Sequence, residues 1–381
     1  MIAYLDHAAT SPLRDEARDA MLPWLTTSFG NPSGGHQVAR EARRAVDEAR
    51  DAVASALGCE PGEVVFTSGG TEADNLAIGG VLAASAGRGH GAVCSAIEHH
   101  AVLHRVEGAG GRTVGVDADG RLDLDALRDA VGPETVVVSV MLANNEVGTI
   151  QDLDAIASVV AERAPAAVVH TDAVQAAPWL DVAARARRAA LVSVAAHKFG
   201  GPQGVGALVV RRGVRLEPMV VGGGQERERR SGTHNVAGIV GMAAALTATV
   251  ADRAAAGLRV RALRDGLVAS VSAAVEGVTE TAAGAERLPN IAHLLLAGVE
   301  AESLLVLLDE GGVCASAGSS CASGAMEPSH VLAAMGLSRD VARSAVRLSL
   351  GRASTPVEVE HAVGAVAAAA SRLRAPMPVW A

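Results

Sequence analysis

The sequence is poor in aromatic residues and in cysteine. Phe, Tyr and Trp together make up 2% of its 381 residues, so a flat ligand ring that needs a stacking partner is expected to meet a histidine instead. The four cysteines, Cys59, Cys94, Cys314 and Cys321, contain no C-x-x-C pair. Neither a disulfide framework nor a zinc site is therefore expected.

Net positive charge and long apolar runs are also missing. The formal net charge of −9 argues against a surface that binds nucleic acid or an anionic membrane. No apolar run reaches the length that spans a bilayer, and the first residues lack the pattern of a signal peptide. These absences predict a soluble, cytoplasmic globular protein without a nucleic-acid or membrane partner.

What the sequence does contain is an alternation of short apolar runs and helical patterns. Strands are predicted at 63–67, 92–96, 112–116, 135–141, 166–171, 190–195 and 205–210. Helical patterns lie between most of them, and this rhythm predicts an α/β fold with a mostly parallel central sheet covered by helices on both faces. Ligands of such sheets bind beyond the carboxyl ends of the strands.

The rest of the chain predicts a smaller second domain, because 381 residues exceed the length at which a single core stops growing. A Ser-Pro pair at 11–12 predicts the start of the first helix, and Gly58 is expected to end the second. Helices are predicted at 12–25, 38–57, 236–274, 301–309 and 357–373, and further strands at 291–296 and 345–350.

One lysine stands at the end of a predicted strand. The segment 193–210 reads S-V-A-A-H-K-F-G-G-P-Q-G-V-G-A-L-V-V, so Lys198 follows an apolar run and precedes a Gly/Pro-rich turn. Partial desolvation there lowers the pKa of the amine and suits it to form a Schiff base. The alternative is a lysine in a surface loop, which the local sequence does not exclude.

Two other strand ends carry a glycine turn and a histidine pair. Residues 63–75 read E-V-V-F-T-S-G-G-T-E-A-D-N, in which a strand, a Gly turn and a helix beginning near Thr71 would form an anion site. The alternative is an ordinary turn with Thr71 as the N-cap. His99 follows the next strand and is a candidate to stack on a flat cofactor ring, or a structural histidine.

Two more strand ends carry amide and acidic side chains. In N-N-E-V-G, Asn145 would donate to a cofactor oxygen, unless the paired asparagines simply turn the chain. In T-D-A-V-Q, Asp172 would pair with a protonated ring nitrogen, with Gln175 facing the same ligand; the alternative is an N-cap aspartate. Together with Lys198, these patterns supply the groups that pyridoxal 5′-phosphate requires.

The sequence resembles the pyridoxal-phosphate-dependent cysteine desulfurases of the iron–sulfur-assembly and nitrogen-fixation type, in the class V aminotransferase family. The similarity runs nearly from end to end, through Y-L-D-H-A-A-T, F-G-N-P-S, N-N-E-V-G, T-D-A-V-Q, H-K, G-G-G-Q-E-R, R-S-G-T and G-S-S-C-A-S-G-A-M-E-P-S-H-V-L. The last motif is the most specific, because related aminotransferases lack its cysteine. The resemblance implies the fold-type I transferase fold, with a large domain over 16–255 and a small α+β domain formed by 1–15 and 256–381.

The resemblance also implies roles for individual residues. Lys198 would be the Schiff-base lysine, His99 the ring stacker and proton shuttle, and Cys321 the nucleophile that carries a persulfide. The other implied cofactor contacts are Gly70, Thr71 and His197 to the phosphate, Thr233 from the partner subunit, Asp172 to the pyridine nitrogen, and Asn145 and Gln175 near the phenolic oxygen. Asn31 and Arg347 match the positions that hold the substrate carboxylate.

Cys321 lies in a segment of about 313–328 that is too small and too polar to form a packed element, so we expect a mobile loop. No resident metal is expected, although the Cys321 thiol could transiently ligate an iron–sulfur cluster. The other three cysteines are expected to be structural.

The implied reaction converts L-cysteine to L-alanine and leaves a persulfide on Cys321, which a homodimer would pass to a sulfur-acceptor protein in iron–sulfur-cluster or thiolation pathways. The alternatives are a selenocysteine lyase or small-substrate aminotransferase on the same fold, or a cofactor-less sulfur-transfer scaffold. Two features depart from the family. Ala195 stands where a Ser is usual, which removes one phosphate hydrogen bond worth about 1 kcal/mol. The last residues, 378–381, stop where assembly-type members often continue, so the resemblance does not identify the sulfur acceptor.

Overall fold

The computed structural model describes residues 1–86, 91–317 and 329–375. Its strands are β1 (Ala3–Tyr4), β2 (Val64–Thr67), β3 (Gly91–Ser95), β4 (Arg112–Val114), β5 (Thr135–Ser139), β6 (Val168–Asp172), β7 (Leu191–Ala195), β8 (Gly206–Val210), β9 (Val278–Glu280), β10 (Ile291–Leu296), β11 (Val313–Cys314) and β12 (Ala345–Ser349). Its helices are α1 (Asp15–Thr26), α2 (Gln37–Leu57), α3 (Gly70–Ala84), α4 (His100–Gly108), α5 (Leu124–Ala130), α6 (Leu153–Arg163), α7 (Val182–Arg185), α8 (Val236–Ala274), α9 (Ala301–Glu310), α10 (His330–Ala334), α11 (Arg339–Ala342) and α12 (Pro356–Arg374).

The central sheet has seven strands in the order β2-β8-β7-β6-β5-β3-β4. Strand β8 is antiparallel to both of its neighbours, and the other pairs are parallel. Strands β2, β7 and β8 are buried along their whole length, as continuous apolar runs in a sheet covered on both faces require. The predicted α/β fold with a mostly parallel sheet is confirmed.

The first helix begins later than predicted. Helix α1 starts at Asp15 rather than at Pro12, because the backbone before it pairs with the turn that follows β7. The N–H of Ser11 donates to the carbonyl of His197 at 3.0 Å, and that of Arg14 donates to Gly200 at 2.8 Å. This pairing holds residues 11–14 extended and ties the N-terminal segment to the lysine turn.

The second helix ends as predicted. Gly58 follows α2 with φ 63°, a left-handed conformation that glycine adopts without a steric penalty. The amide of Gly58 donates to the carbonyls of Ala54 and Ser55, which closes the last turn of the helix.

A second, antiparallel sheet has the order β12-β10-β9, and β1 pairs with β11 beside it. The sequence patterns did not predict β1, β9 or β11, because two or three residues are too few to display a period of two. Helix α8 connects the two regions. Its first half buries Ile239 and Met242 in the core below the central sheet, and its second half buries Val260 and Leu267 against the smaller sheet.

The expectation that no apolar run reaches membrane-spanning length is wrong for α8. Among the described helices, α8 is the one that is long and apolar enough to cross a bilayer, on length and composition only. It packs against α1, α2 and α12, and Ile239, Met242 and Leu246 are buried in the protein core. Its apolar character is therefore accounted for by contacts within the fold.

Candidate active site

A cavity of about 450 Å³ opens at the carboxyl ends of β5, β6 and β7, beside the first turns of α3 and α4. This is the position at which parallel sheets bind ligands, and the volume lies in the usual range for small-molecule sites. The structure brings together nine of the residues singled out in the sequence as its lining: Gly70, Thr71, His99, Asn145, Asp172, Gln175, His197, Lys198 and Arg347.

Lys198 lies on a single 3₁₀ turn, Ala196–Lys198, directly after β7. Its Nζ donates to the carbonyl oxygens of Ala8 at 2.6 Å and Ala9 at 2.9 Å. Burial, followed by the positive charge of Arg347, lowers the pKa of Lys198 from 10.5 to about 8. The amine therefore loses its proton close to neutral pH, as a nucleophilic or basic lysine requires.

Lys198 is also the only lysine in the sequence. Its position at a strand end identified it as a candidate, but the composition carries an additional signal. The sequence has 33 Lys and Arg residues, and one of them is a lysine. Because arginine keeps its charge in proteins, Lys198 is the member of this set whose pKa can shift to suit the cavity.

Asp172 is the last residue of β6 and is 7% exposed. Its Oδ1 accepts a hydrogen bond from the N–H of Val174 at 2.8 Å. Burial raises the pKa of Asp172, while His99, that hydrogen bond and Lys198 oppose the rise. A cation brought into the cavity would stabilise the charged carboxylate. Gln175 lies beside it and donates from Nε2 to the carbonyl of Ala8 at 2.7 Å.

His99 is the N-cap residue of α4. Its Nδ1 accepts a hydrogen bond from the N–H of Ala101 at 3.1 Å, which fixes the orientation of the ring at the N-terminus of the helix. Desolvation lowers the pKa of His99, so the ring is neutral near pH 7. Because Nδ1 is an acceptor, the proton of the neutral ring is on Nε2.

The turn before α3 supplies backbone amides rather than a threonine cap. The N-cap residue is Gly69, with φ 155°, so the alternative of a Thr71 N-cap is wrong. A Cβ added to Gly70 would lie 2.8 Å from Cγ2 of Val174 and 3.6 Å from Cβ of Ala195. The first turn of α3 therefore presents free amides in a cradle that a side chain at residue 70 would fill.

His197 stands on the same side of the cavity. Its Nδ1 lies 3.2 Å from Oγ1 of Thr10, and burial lowers its pKa to about 4. The ring is therefore neutral near pH 7 and is available as a hydrogen-bond donor or acceptor without adding charge.

Arg347 closes the cavity from β12. Its Nη1 donates to the carbonyl of Asn145 at 2.9 Å and its Nη2 to Oδ1 of Asp6 at 2.8 Å. Its Nε is buried and has no hydrogen-bond partner among the described residues. The backbone of Arg347 also pairs with Ser316 in both directions, at 3.1 and 2.7 Å. The guanidinium is thus held in place with a donor left over for a ligand.

The two asparagines have separate roles. Oδ1 of Asn144 accepts hydrogen bonds from the N–H groups of Glu146 and Val147 at 2.8 and 3.0 Å, so Asn144 turns the chain. Asn145 lines the cavity. The turn interpretation therefore applies to Asn144, and donation from Asn145 to a cofactor oxygen stays a prediction.

Two predicted site residues lie elsewhere, and a third is outside the described residues. Asn31 is exposed in a turn, where its Oδ1 accepts from the N–H of Ser33 at 3.0 Å. Thr233 is also exposed, and neither residue lines the cavity within the part of the chain that is described. Cys321 lies in 318–328, outside the described residues.

Two of the other cysteines have thiols that are hard to ionise. Burial raises the pKa of Cys59 to about 11 and raises that of Cys94 further. Both are therefore poor nucleophiles at neutral pH.

The sequence patterns missed several buried polar residues at the cavity, above all Asp74, which lines it, and Glu98 and His170. For Asp74 a signal was present. It stands four residues after Gly70 in the same helix, one helical turn away, and so faces the same cavity. Glu98 is next to His99, and His170 is two residues before Asp172. Nothing in this spacing predicts that either residue is buried.

The fold and the cavity define an α/β enzyme built around a desolvated lysine. The chain belongs to the class V aminotransferase family, because the family model described as Aminotransferase class-V matches residues 3–361. The cofactor of this family is pyridoxal 5′-phosphate, which confirms the cofactor inferred from the sequence.

Named relatives cover the whole chain. A cysteine desulfurase IscS of Methanosarcina thermophila is 40% identical over 99% of this chain and 94% of its own length. A cysteine desulfurase of Cereibacter sphaeroides is 43% identical over 99% of this chain and 98% of its own. Among solved structures, a NifS-like protein superposes with a TM-score of 0.92 at 33% identity, covering 98% of this chain and 100% of that one.

The residues of the cavity fit the cofactor. The donor set combines an amine of lowered pKa on Lys198 with a buried acid, Asp172, and a row of free amides at Gly70. The cradle in front of Gly70 is open because this residue has no side chain. An aldehyde, a ring nitrogen and a phosphate would each find a complementary group.

Proposed function

We propose that this chain is a cysteine desulfurase that converts L-cysteine to L-alanine and transfers the sulfur to an acceptor protein through a persulfide on Cys321. The observation that carries the proposal is the assembly of its only lysine with Asp172 and Arg347 around one cavity. The relatives named above as cysteine desulfurases, at 40% and 43% identity over 99% of the chain, support the choice of substrate.

The bound cofactor would supply an electron sink for charge that develops at the substrate Cα. We assign its aldehyde to Lys198, its ring nitrogen to Asp172 and one face of its ring to His99. Asn145 and Gln175 would lie near its phenolic oxygen. The phosphate would be held by the amides of Gly70 and Thr71, by His197, and by Thr233 of the partner subunit.

Lys198 is the base that takes the proton from the substrate Cα. Its pKa of about 8, against 10.5 for an ordinary lysine, means that a minor fraction of the amine is already unprotonated at pH 7 and about half near pH 8, and the carbonyls of Ala8 and Ala9 hold Nζ in place when it is free. His99 carries its proton on Nε2, toward the ligand, and serves as the proton shuttle.

The substrate carboxylate binds to Arg347. Its guanidinium lines the cavity, and Nη1 and Nη2 each have a second N–H bond besides the one that donates to Asn145 or Asp6. Asn31 is assigned to the same carboxylate. The substrate sulfur is then taken by Cys321, whose thiolate forms a new S–S bond as the substrate C–S bond breaks.

We further propose a homodimer in the cytoplasm, with a large domain over 16–255 and a small domain formed by 1–15 and 256–381. Thr233 is exposed rather than turned to its own cavity, as a contribution to a partner's site requires. Phe29 and Val221 are 83% and 77% exposed and are therefore available to a contact with a second copy. The sulfur acceptor is proposed to belong to an iron–sulfur-cluster or thiolation pathway.

The test is incubation of the purified protein with L-cysteine, with and without a thiol reductant, and measurement of alanine and sulfide. Alanine should form without a keto-acid acceptor, and sulfide should appear only when the reductant releases it from the enzyme. A requirement for a keto acid would instead identify an aminotransferase.

The Cys321→Ala variant should keep the cofactor absorbance and lose alanine formation from cysteine. Cys314→Ala is the matched control and should keep both. Undiminished turnover by Cys321→Ala would disprove the nucleophile assignment.

A further inference from the structure

A second buried carboxyl lies in the floor of the cavity beside Asp172. Asp74, on α3, is 1% exposed and lines the same cavity. Its Oδ1 makes no hydrogen bond within the described part of the chain. An ionised carboxylate in that position would be desolvated with no cation beside it and with the hydroxyl of Ser193 as its hydrogen-bond partner, which is unfavourable.

The nearest candidate partner is not a cation. His170 places Nε2 at 3.6 Å from Oδ1 of Asp74, but its ring is fully buried between the hydroxyls of Ser139, at 2.8 Å from Nδ1, and Ser193, at 3.0 Å from Nε2. Burial lowers the pKa of His170 to about 3. The imidazole is therefore neutral and gives Asp74 no positive charge.

The other ionisable groups that act on Asp74 are acids. Burial raises the pKa of Asp74 well above its usual value, and the charges of Asp172 and Glu98 raise it further. A hydrogen bond with Ser193 is the one opposing effect. Asp172 is better placed to hold charge, because it accepts the N–H of Val174 and is favoured by the positive charge of Lys198.

We propose that Asp74 is a positioning residue that stays protonated and thereby leaves the single negative charge of the pair on Asp172. The inference rests on the proposed function only in taking Asp172 as the partner of the cofactor ring nitrogen. A neutral Asp74 donates its proton to Oγ of Ser193. Ser193 then donates to Nε2 of His170, and the Nδ1–H of His170 donates to Ser139, so each hydroxyl and each ring nitrogen is used.

The tautomer of His170 reports the protonation of Asp74. A protonated Asp74 requires the proton of His170 on Nδ1, whereas an ionised Asp74 would reverse the chain and place it on Nε2. We expect ¹⁵N spectra of the full-length, cofactor-loaded protein, labelled at histidine and assigned with His170→Gln, to give the Nδ1–H tautomer at pH 7.5. The Nε2–H tautomer would overturn the proposal.

The pH dependence of stability is an independent test. Between the pKa of Asp74 in the unfolded chain, near 4, and its raised pKa in the folded protein, the unfolded state has lost a proton that the folded state keeps. This costs stability increasingly as pH rises. Asp74→Asn removes the cost, so its Tm should exceed that of the parent protein by a margin that widens by about 2–4 °C from pH 5 to pH 8.

The control is Asp51→Asn, an exposed aspartate on α2, whose Tm difference should stay flat over that range. A margin for Asp74→Asn that falls with pH would mean that Asp74 is ionised, which contradicts the proposal. The same comparison in an Asp172→Asn background shows whether the charge of Asp172, in addition to burial, keeps Asp74 protonated. The margin should shrink there, because no second charge then opposes ionisation of Asp74.

An equal margin in both backgrounds would show that Asp74 is neutral for reasons unrelated to Asp172 and would overturn its positioning role. These measurements use the full-length protein with and without cofactor and no turnover assay. A failure of the desulfurase assignment would therefore leave them unaffected, and their failure would leave the desulfurase assignment standing.

Discussion

The two sides of the cavity are assembled in different ways. The side assigned to the cofactor comes from strands of one sheet, since Asp172 ends β6, Lys198 follows β7 and Gly70 begins the helix after β2. The side assigned to the substrate joins distant segments. Arg347 lies on β12 and is held by Asp6, 341 residues away, and by the carbonyl of Asn145, 202 residues away.

This difference has an energetic consequence. Sheet hydrogen bonds fix the backbone of the cofactor side, and the carbonyls of Ala8 and Ala9 hold the side chain of Lys198. The substrate side depends on how the smaller sheet packs against the larger one, and it is held by an ion pair in which Asp6 is partly exposed. We therefore expect substitutions on the first side to change the cofactor itself, and substitutions on the second side to change substrate binding and to reach the cofactor only through the charge of Arg347 acting on Lys198.

The largest effect is expected for Lys198→Ala. The variant should lose the cofactor's absorbance band and at least about 100-fold in turnover, because general-base catalysis commonly contributes that much. Since the chain has one lysine, borohydride reduction of the parent protein should attach the cofactor to that side chain, as peptide mass spectrometry can verify. A label on any other residue, or a reducible band in the variant, would contradict the assignment.

Arg347→Ala should raise KM for L-cysteine by roughly 10–100-fold, the loss expected for a charge-assisted hydrogen bond. The cofactor absorbance of the fully loaded variant should be retained above pH 8, where the charge of Arg347 is no longer needed to deprotonate Lys198. Arg343→Ala, an exposed arginine just after α11, is the matched control and should have the parent KM. A loss of cofactor affinity that matches the rise in KM would remove the distinction between the two sides.

The same distinction explains what the sequence could predict. Strand-end residues such as Asp172 and Lys198 are predictable, because an apolar run followed by a polar residue locates the edge of a parallel sheet. The seven strands of the central sheet lie close to their predicted ranges for the same reason. The class V family and its cofactor also followed from the motifs.

The contacts that the sequence patterns did not predict are those between distant segments. No pattern near Arg347 predicts its contact with Asp6. No pattern near Ser11 predicts that its backbone pairs with His197 instead of starting a helix. The buried pair of Asp74 and His170 was missed because burial of a polar residue depends on the packing of α3 over the sheet. Local patterns carry no information on that packing.

The ionisation of Lys198 tests the electrostatic link between the two sides. Its lowered pKa of about 8 means that the amine is protonated and unreactive below that pH, so the rate at which cofactor-free protein binds the cofactor should rise with pH and level off above about 8. NMR of protein labelled at lysine should give a single ε-carbon signal that titrates at the same pH.

Arg347→Ala removes a positive charge that lowers the pKa of Lys198, so both midpoints should move upward in that variant. An ordinary lysine would titrate near 10.4 and would show no plateau near 8. Midpoints that do not respond to Arg347→Ala would mean that burial alone sets the pKa.

The smallest effect is expected for Ala195→Ser, on the cofactor side. Cβ of Ala195 lies 3.6 Å from the position that a Cβ on Gly70 would take, so a serine hydroxyl would reach the phosphate cradle. One added hydrogen bond, worth about 1 kcal/mol, should tighten cofactor binding about fivefold. Absorbance titration of cofactor-free protein measures this change in affinity.

The control is Ala195→Gly, which should give no gain in cofactor affinity, because it removes the methyl group without adding a donor. If the serine and glycine variants bind equally, Ala195 does not limit phosphate binding, and the neutral ring of His197 together with the amides of α3 already satisfies the phosphate oxygens.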